Sequence, residues 1–322
     1  MKTIDDYRIE IESTIKNLQF PEDKLTGLYS PISYALSAGG KRIRPVLTLM
    51  TADAFGDNAS QAVKPALGLE TFHNFTLLHD DLMDKSEMRR GRLTVYKKYN
   101  ENSAILSGDT MLTLATEYVC TVEDNLLRIV LDTFNSMAIK VYEGQQLDMD
   151  FENQVSISLD DYLEMIKKKT GALLGACAKI GALIGGASEK DADKMYEFGM
   201  MTGVAFQIQD DWLDTFGDAT TFGKNIGGDI NNAKKTYLFV AALQHDSQTA
   251  EALKDAYKIP AGDVRVKTVT RLYEKLGISE TTKKAVNHYS SQALKSLNST
   301  SLSDDKKELF RKLAEKLIGR KK

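Results

Sequence analysis

Apolar positions along this chain recur at threes and fours. Leu163, Ile166, Thr170, Leu173 and Leu174 trace one such stripe, the spacing of an amphipathic helix and not the alternation of a half-buried strand. Ser158-Leu-Asp-Asp161 stands just ahead of it with the S-x-x-D pattern that starts helices. Prolines occur only at positions 21, 31, 45, 65 and 260, so Ala66 to Ile259 runs without one. Proline punctuates helices and loops, and its absence over that length predicts long helices in an all-α fold. The longest small, apolar run, Gly171 to Ala187, is interrupted by Lys179 and falls short of a membrane span. The last third is more polar, with turns expected at Ile259-Pro-Ala-Gly-Asp263 and Leu276-Gly277. No linker or low-complexity tract divides the chain. One domain over residues 1–322 is expected, with 241–322 as a peripheral helical layer on a single bundle.

Twice an apolar helical approach ends in D-D-x-x-D: Leu77-Leu-His-Asp-Asp-Leu-Met-Asp84 and Phe206-Gln-Ile-Gln-Asp-Asp-Trp-Leu-Asp214. On a helix, Asp80 and Asp84 stand one turn apart on one face with Asp81 flanking them. Asp210, Asp211 and Asp214 repeat the arrangement. A single copy is most often a solvated face or a cap. Two copies in matching apolar contexts shift that balance, because clustered carboxylates repel unless a cation neutralises them. Hard oxygen ligands suit Mg²⁺, which takes one or two carboxylates together with substrate phosphates.

Cations lie near both segments. Gly39-Gly-Lys-Arg-Ile-Arg-Pro45 sets two glycines before Lys41 and Arg44, which could grip a diphosphate, arginine through its bidentate fork. It is not a P-loop, since the G-x-x-x-x-G-K-[ST] spacing is absent. Arg89-Arg-Gly-Arg92 follows the first segment, and Lys169-Thr170, Gly223-Lys224 and Lys234-Lys-Thr236 add more positive charge. Metal-rich acidic clusters beside cations point to a diphosphate ligand. The four histidines (73, 79, 245 and 288) form no H-E-x-x-H or E-x-x-H pair, and no G-x-S-x-G nucleophile appears. What remains is chemistry that pulls a diphosphate off an organic skeleton.

Composition narrows the picture further. In 322 residues, Lys plus Arg is 42 and Asp plus Glu is 45, a net charge of −3, which argues against a nucleic-acid binder held by bulk charge. Cys120 and Cys177 cannot build a disulfide framework and are read as buried small hydrophobes. The acidic N-terminal stretch lacks the apolar core of a signal peptide, so a cytoplasmic protein without a transmembrane segment is expected.

Taken in order, GGKRIRP at 39–45, LLHDDLMD at 77–84, RRG at 89–91, GQQLD at 144–148, KT at 169–170, FQIQDDWLD at 206–214, GKNIGGD at 223–229 and KKT at 234–236 resemble the trans-isoprenyl diphosphate synthases, or polyprenyl synthetases. The resemblance spans about residues 28–240 and is closest to the short-chain farnesyl and geranylgeranyl diphosphate type. It implies the isoprenoid synthase fold, a helical bundle around a deep central apolar cavity, usually as a homodimer. It implies that the aspartate segments face each other at the cavity mouth. Asp80, Asp84 and Asp210 would ligate Mg²⁺, three ions with substrate bound, with Asp81, Asp211 and Asp214 as further or nearby ligands. Arg89, Lys169, Lys224 and Lys234 match positions that hold the allylic diphosphate. Lys41, Arg44, His73 and Arg90 match those that hold isopentenyl diphosphate, and Thr170 and Gln207 match groups near the reacting carbons.

Blander roles exist for several of these. Alone, His73 would more often be a satisfied core histidine, though it lies seven residues before Asp80 on one helix face. Gln207 could simply hydrogen-bond within the bundle. Met83, Phe72, Phe75 and Trp212 read as core, Lys235 and Arg92 as solvated charges, and Arg320-Lys-Lys322 as a frayed tail.

The implied reaction is ionisation of an allylic diphosphate, with Mg²⁺ and cations stabilising the departing group. The alkene of isopentenyl diphosphate then attacks the carbocation, and a proton passes to the released diphosphate. Water must be excluded, because it would trap the cation. Product length depends on what stands below the first aspartates. Thr76 lies one turn before Asp80, about 6 Å deeper, and its small side chain leaves room. Phe72 lines the wall, and Phe75 matches a bulky floor residue of the family. An ideal helix turns Phe75 roughly 140° from Asp80, so the floor role rests on the resemblance. A farnesyl or geranylgeranyl product is expected, with a longer-chain synthase as the alternative. A terpene cyclase would carry an N-D-x-x-S/T-x-x-x-E second motif in place of DDWLD. A non-catalytic subunit of a heteromeric synthase would typically have lost an aspartate segment, and both are whole here.

Overall fold

The protein is described by a computed structural model covering residues 2–217 and 226–319. Helices dominate, as the periodicity and the proline-free stretch require. The longest are Asp124–Glu152, Glu189–Phe216, Val63–Met83 and Ile278–Asn298, with Glu101–Val119 next among the described residues. Among the described residues the one sheet is a two-stranded hairpin, Met88–Arg89 with Arg92–Leu93. Pro45 and Pro65 sit in the first turns of Ile43–Gly56 and Val63–Met83, where a missing N–H costs nothing.

The residues group into two compact units, Met1–Asn135 with Ala176–Asp193, and Ser136–Gly175 with Lys194–Lys322. In the first, Val63–Met83 packs along Glu101–Val119. Gly68 makes the approach possible, since a Cβ there would lie 2.7 Å from the Ala115 carbonyl. Phe72, fully buried, sets its ring edge-on to Phe134 at 5.4 Å.

In the second unit Tyr162, Ile166, Val204, Ile208, Leu238, Val240 and Tyr273 share one apolar core. The expected helix start at Ser158 is a full capping box, with Asp161 N donating to Ser158 Oγ and Ser158 N to Asp161 Oδ2. The polar last third forms Ser247–Lys258, Asp263–Lys275, Ile278–Asn298 and Asp304–Ile318. Breaks fall at both expected turns, and Gly277 takes a left-handed φ of +67° between two of these helices.

Candidate active site

The first aspartate segment ends its helix. Asp80 lies on the last turn of Val63–Met83, and Asp84 is the exposed C-cap. Asp81 turns inward and is buried. Arg89 reaches it from the hairpin, its Nε 2.8 Å from both carboxylate oxygens. The hairpin returns Arg89 to the helix through a two-residue turn, Arg90-Gly91, with φ of +52° and +73°. Burial pushes the Asp81 carboxyl up, and Arg89 pulls it back only in part. Thus the segment sorts its carboxylates: Asp81 is tied to Arg89, while Asp80 and Asp84 lie on the more accessible side.

The neighbouring basic loop is sorted in the same way. Arg42 adopts φ +51° and buries its guanidinium, bonding Glu70 at 2.7 Å, Glu12 at 2.8 Å and the Leu36 carbonyl at 2.7 Å. Of the three cations in the motif it is the structural one. Lys41 stays exposed, and Arg44 Nη1 lies 3.1 Å from His73 Nε2. Arginine can only donate, so Nε2 accepts and the ring proton sits on Nδ1. Burial drives the His73 pKa well below the usual histidine value, and Arg44, Arg90, Arg89 and Arg42 add to the effect. His73 is therefore neutral under the influence of four arginines, an electropositive neighbourhood suited to an anion. Buried Arg44 Nε has no protein acceptor. Arg90 Nη1 donates to the Gly39 carbonyl, and its guanidinium lies about 3 Å from where a Cβ on Gly40 would stand. The Gly40 φ of +138° is a backbone conformation that a residue with a side chain rarely adopts.

The second unit repeats the sorting. Asp211 is buried, accepting from Tyr162 OH at 2.6 Å, Tyr237 N at 2.8 Å and Gln207 Nε2 at 3.0 Å. Burial pushes its carboxyl up to about 6 against those three donors. Asp214 accepts from Asp229 N at 3.0 Å and so holds the short helix Gly228–Asn231. Asp210 keeps partial exposure. Thr170 Oγ1 donates to Gln207 Oε1 at 3.2 Å, joining two of the expected residues directly.

Lys169 and Thr170 stand on a π-helical turn, Lys167–Gly171, inserted between Leu159–Ile166 and Ala172–Ile184. Such turns re-aim side chains within a helix and concentrate at functional sites. Gly144 makes room for it, since a Cβ there would lie 2.3 Å from Lys169 N. Asp148, in the GQQLD motif, receives Lys169 Nζ at 2.6 Å and has Lys234 Nζ at 3.8 Å. Burial raises the Asp148 pKa, but Lys169 and Lys234 outweigh it and the net shift is downward. The carboxylate thus gathers two lysines expected separately, and reading the motifs one at a time gave it no role. Its signal was its place at the end of a motif already in the set. Lys224, the remaining expected cation, lies outside the described residues, as does the basic tail 320–322.

Phe75 is buried, edge-on to His79 at 4.9 Å and 5.6 Å from Phe72. Thr76 is half-buried and returns its hydroxyl to the His73 carbonyl at 2.8 Å. Several bland expectations need correction. Met83 is 44 % exposed and not core, because the helix ends there. Trp212 is half-buried, donating to Ser279 Oγ at 2.9 Å. Arg92 is not merely solvated: its guanidinium lies 4.1 Å from the Tyr34 ring centre, a cation–π contact. Lys235 likewise rests 5.0 Å from the Phe239 ring centre. Cys177 is buried, but Cys120 caps Glu101–Val119 and is only half-buried.

Residues 26–276 match the polyprenyl synthetase family. The chain belongs to that family. It is 39 % identical over 236 residues to a geranylgeranyl diphosphate synthase of Methanosarcina mazei, covering 73 % of this chain and 72 % of the relative. A geranylgeranyl diphosphate synthase of Sulfolobus acidocaldarius is 33 % identical over the full length of both chains. Among solved structures, a geranylgeranyl pyrophosphate synthase superposes with a TM-score of 0.94 at 38 % identity, covering 100 % of both chains. The all-α polyprenyl synthetase fold expected from the sequence is therefore the fold of this chain. Among the described residues no helix is long and apolar enough to cross a membrane.

The donor set can be tested for a metal. Among the described residues no three His, Cys, Asp or Glu side chains form a ready-made cage. Mg²⁺ binds through one or two carboxylates and completes its shell with water and substrate phosphate. The partly exposed Asp80 and Asp84 supply such a pair.

Proposed function

We propose that this polyprenyl synthetase condenses isopentenyl diphosphate with an allylic diphosphate and releases a linear trans-prenyl diphosphate, geranylgeranyl diphosphate in particular. The observation that carries this reading is the sorting of charge. Each aspartate segment keeps one carboxylate or more toward solvent, ties others to structural donors, and lies in a unit that gathers cations: Arg44, Arg89 and Arg90 in one, Lys169 and Lys234 in the other. A diphosphate with divalent cations is the ligand that answers both. The twenty-carbon product is favoured over farnesyl diphosphate because relatives at 33–39 % identity are named for it.

In this reading Asp80, Asp84 and Asp210 hold Mg²⁺, with Asp81, Asp211 and Asp214 beside them. When bound, Mg²⁺ supplies the positive charge that makes diphosphate a competent leaving group. Arg89, Lys169, Lys224 and Lys234 hold the allylic diphosphate. Lys41, Arg44, His73 and Arg90 hold isopentenyl diphosphate, His73 offering its Nδ1–H. The Thr170 hydroxyl and the Gln207 amide oxygen lie near the reacting carbons and turn their negative ends toward developing positive charge. Phe72, Phe75 and Thr76 bound the growing chain.

The chain acts as one polyprenyl synthetase domain, a reading supported by a family match that runs through residues of both units. A homodimer is favoured by apolar side chains left at the surface of Glu101–Val119, with Ile105 47 % and Leu106 59 % exposed. A cytoplasmic setting agrees with two free cysteines.

Incubation with dimethylallyl, geranyl or farnesyl diphosphate, isopentenyl diphosphate and Mg²⁺ tests the reaction. Linear elongated diphosphates ending at twenty carbons are expected, and EDTA abolishes them. A cyclic hydrocarbon, or no elongation, would sink the reading. Phe75→Ala is expected to shift the products to longer chains by chromatography, and an unchanged distribution removes Phe75 as the floor.

A further inference from the structure

We infer that Tyr162, on Leu159–Ile166, is a positioning residue that sets which end of the Gln207 amide faces the reacting carbons. The inference rests on the proposed place of Gln207 and goes beyond it. Four hydrogen bonds form one continuous line through the second unit. Tyr162 OH and Tyr237 N both donate to Asp211 Oδ2, at 2.6 and 2.8 Å. Gln207 Nε2 donates to Asp211 Oδ1 at 3.0 Å, and Gln207 Oε1 accepts from Thr170 Oγ1 at 3.2 Å.

An amide has a positive and a negative end of nearly equal size, and packing alone discriminates poorly between its two flips. Chemistry decides here. A carboxylate only accepts, so Asp211 takes the NH₂ end and leaves the oxygen toward Thr170. The oxygen stabilises a neighbouring cation, whereas the NH₂ end would repel it. This orientation holds only while the Asp211 carboxylate stays put, and among the described residues Tyr162 is its one side-chain donor besides Gln207 itself. Tyr162 is fully buried, with its ring edge-on to Tyr237 at 6.0 Å, so its hydroxyl has little freedom to point elsewhere.

The test is steady-state kinetics on Tyr162→Phe, Gln207→Ala and the double variant of the full chain, with KM measured for both substrates. Tyr162→Phe is expected to lower kcat about tenfold and to leave both KM values within roughly twofold, the pattern of an interaction made in the transition state. In the Gln207→Ala background the same change is expected to cost nothing further, because the two residues act as a unit. A wild-type kcat in Tyr162→Phe, a raised KM at constant kcat, or losses that multiply in the double variant would each overturn the inference while leaving Gln207 near the reacting carbons. A wild-type kcat in Gln207→Ala would overturn that placement too. Should Tyr162→Phe not fold, Asp211→Asn serves. It offers Gln207 a donor as well as an acceptor and is expected to lower kcat with circular dichroism retained; an unchanged kcat there sinks the inference.

Discussion

Asp80→Ala is expected to lower kcat by about a thousandfold or more, since one well-placed electrostatic contact to a developing charge is worth roughly 10²–10³ and a lost metal exceeds it. The fold should survive. Asp80 occupies the last turn of its helix, and its ion pair with Arg89 is long, at 3.7 Å. Arg89 keeps its close contact to Asp81 in the variant, so its guanidinium is not left alone. Turnover measured beside a thermal melt separates the two effects. An intact rate would mean that the metal site has been placed wrongly.

Arg42→Ala carries the second large effect, and it falls on stability. The guanidinium and the Glu70 carboxylate bury one another, with side chains 1 % and 3 % exposed. Removing one partner leaves an uncompensated charge in the core, which costs about 3–5 kcal/mol. For a chain of this size the melting midpoint should fall by on the order of 10 °C. Asn74, which donates to Glu70 Oε1 at 3.1 Å, eases the loss only in part. Replacing both partners by apolar residues, Arg42→Met with Glu70→Leu, is expected to recover most of it, because desolvation is the source of the penalty. A melt unchanged by Arg42→Ala would show that the pair is not buried as described.

Much of the site was open to reading before any fold was known. The two D-D-x-x-D segments do stand on helices. What escaped was the division of labour among like residues. Six aspartates of identical chemistry separate into Asp80, Asp84 and Asp210, which keep exposure, and Asp81, Asp211 and Asp214, which are buried. Arg42 and Arg44, two residues apart, do different work. Asp148 drew no attention because its importance lies in two lysines that the chain supplies 21 and 86 residues later.

Helix content, chain punctuation and the one-face spacing of the acidic pairs are consequences of neighbours within a turn or two, so local periodicity and the low proline count were enough to state them. Burial and partnership are set by residues far along the chain. Tyr162 lies 49 positions from the carboxylate it anchors, and the π-helical turn under Lys169 exists against Gly144, 25 residues earlier by number. No spacing rule reaches that far, because a desolvated carboxylate is defined by what surrounds it and not by its own place in a motif.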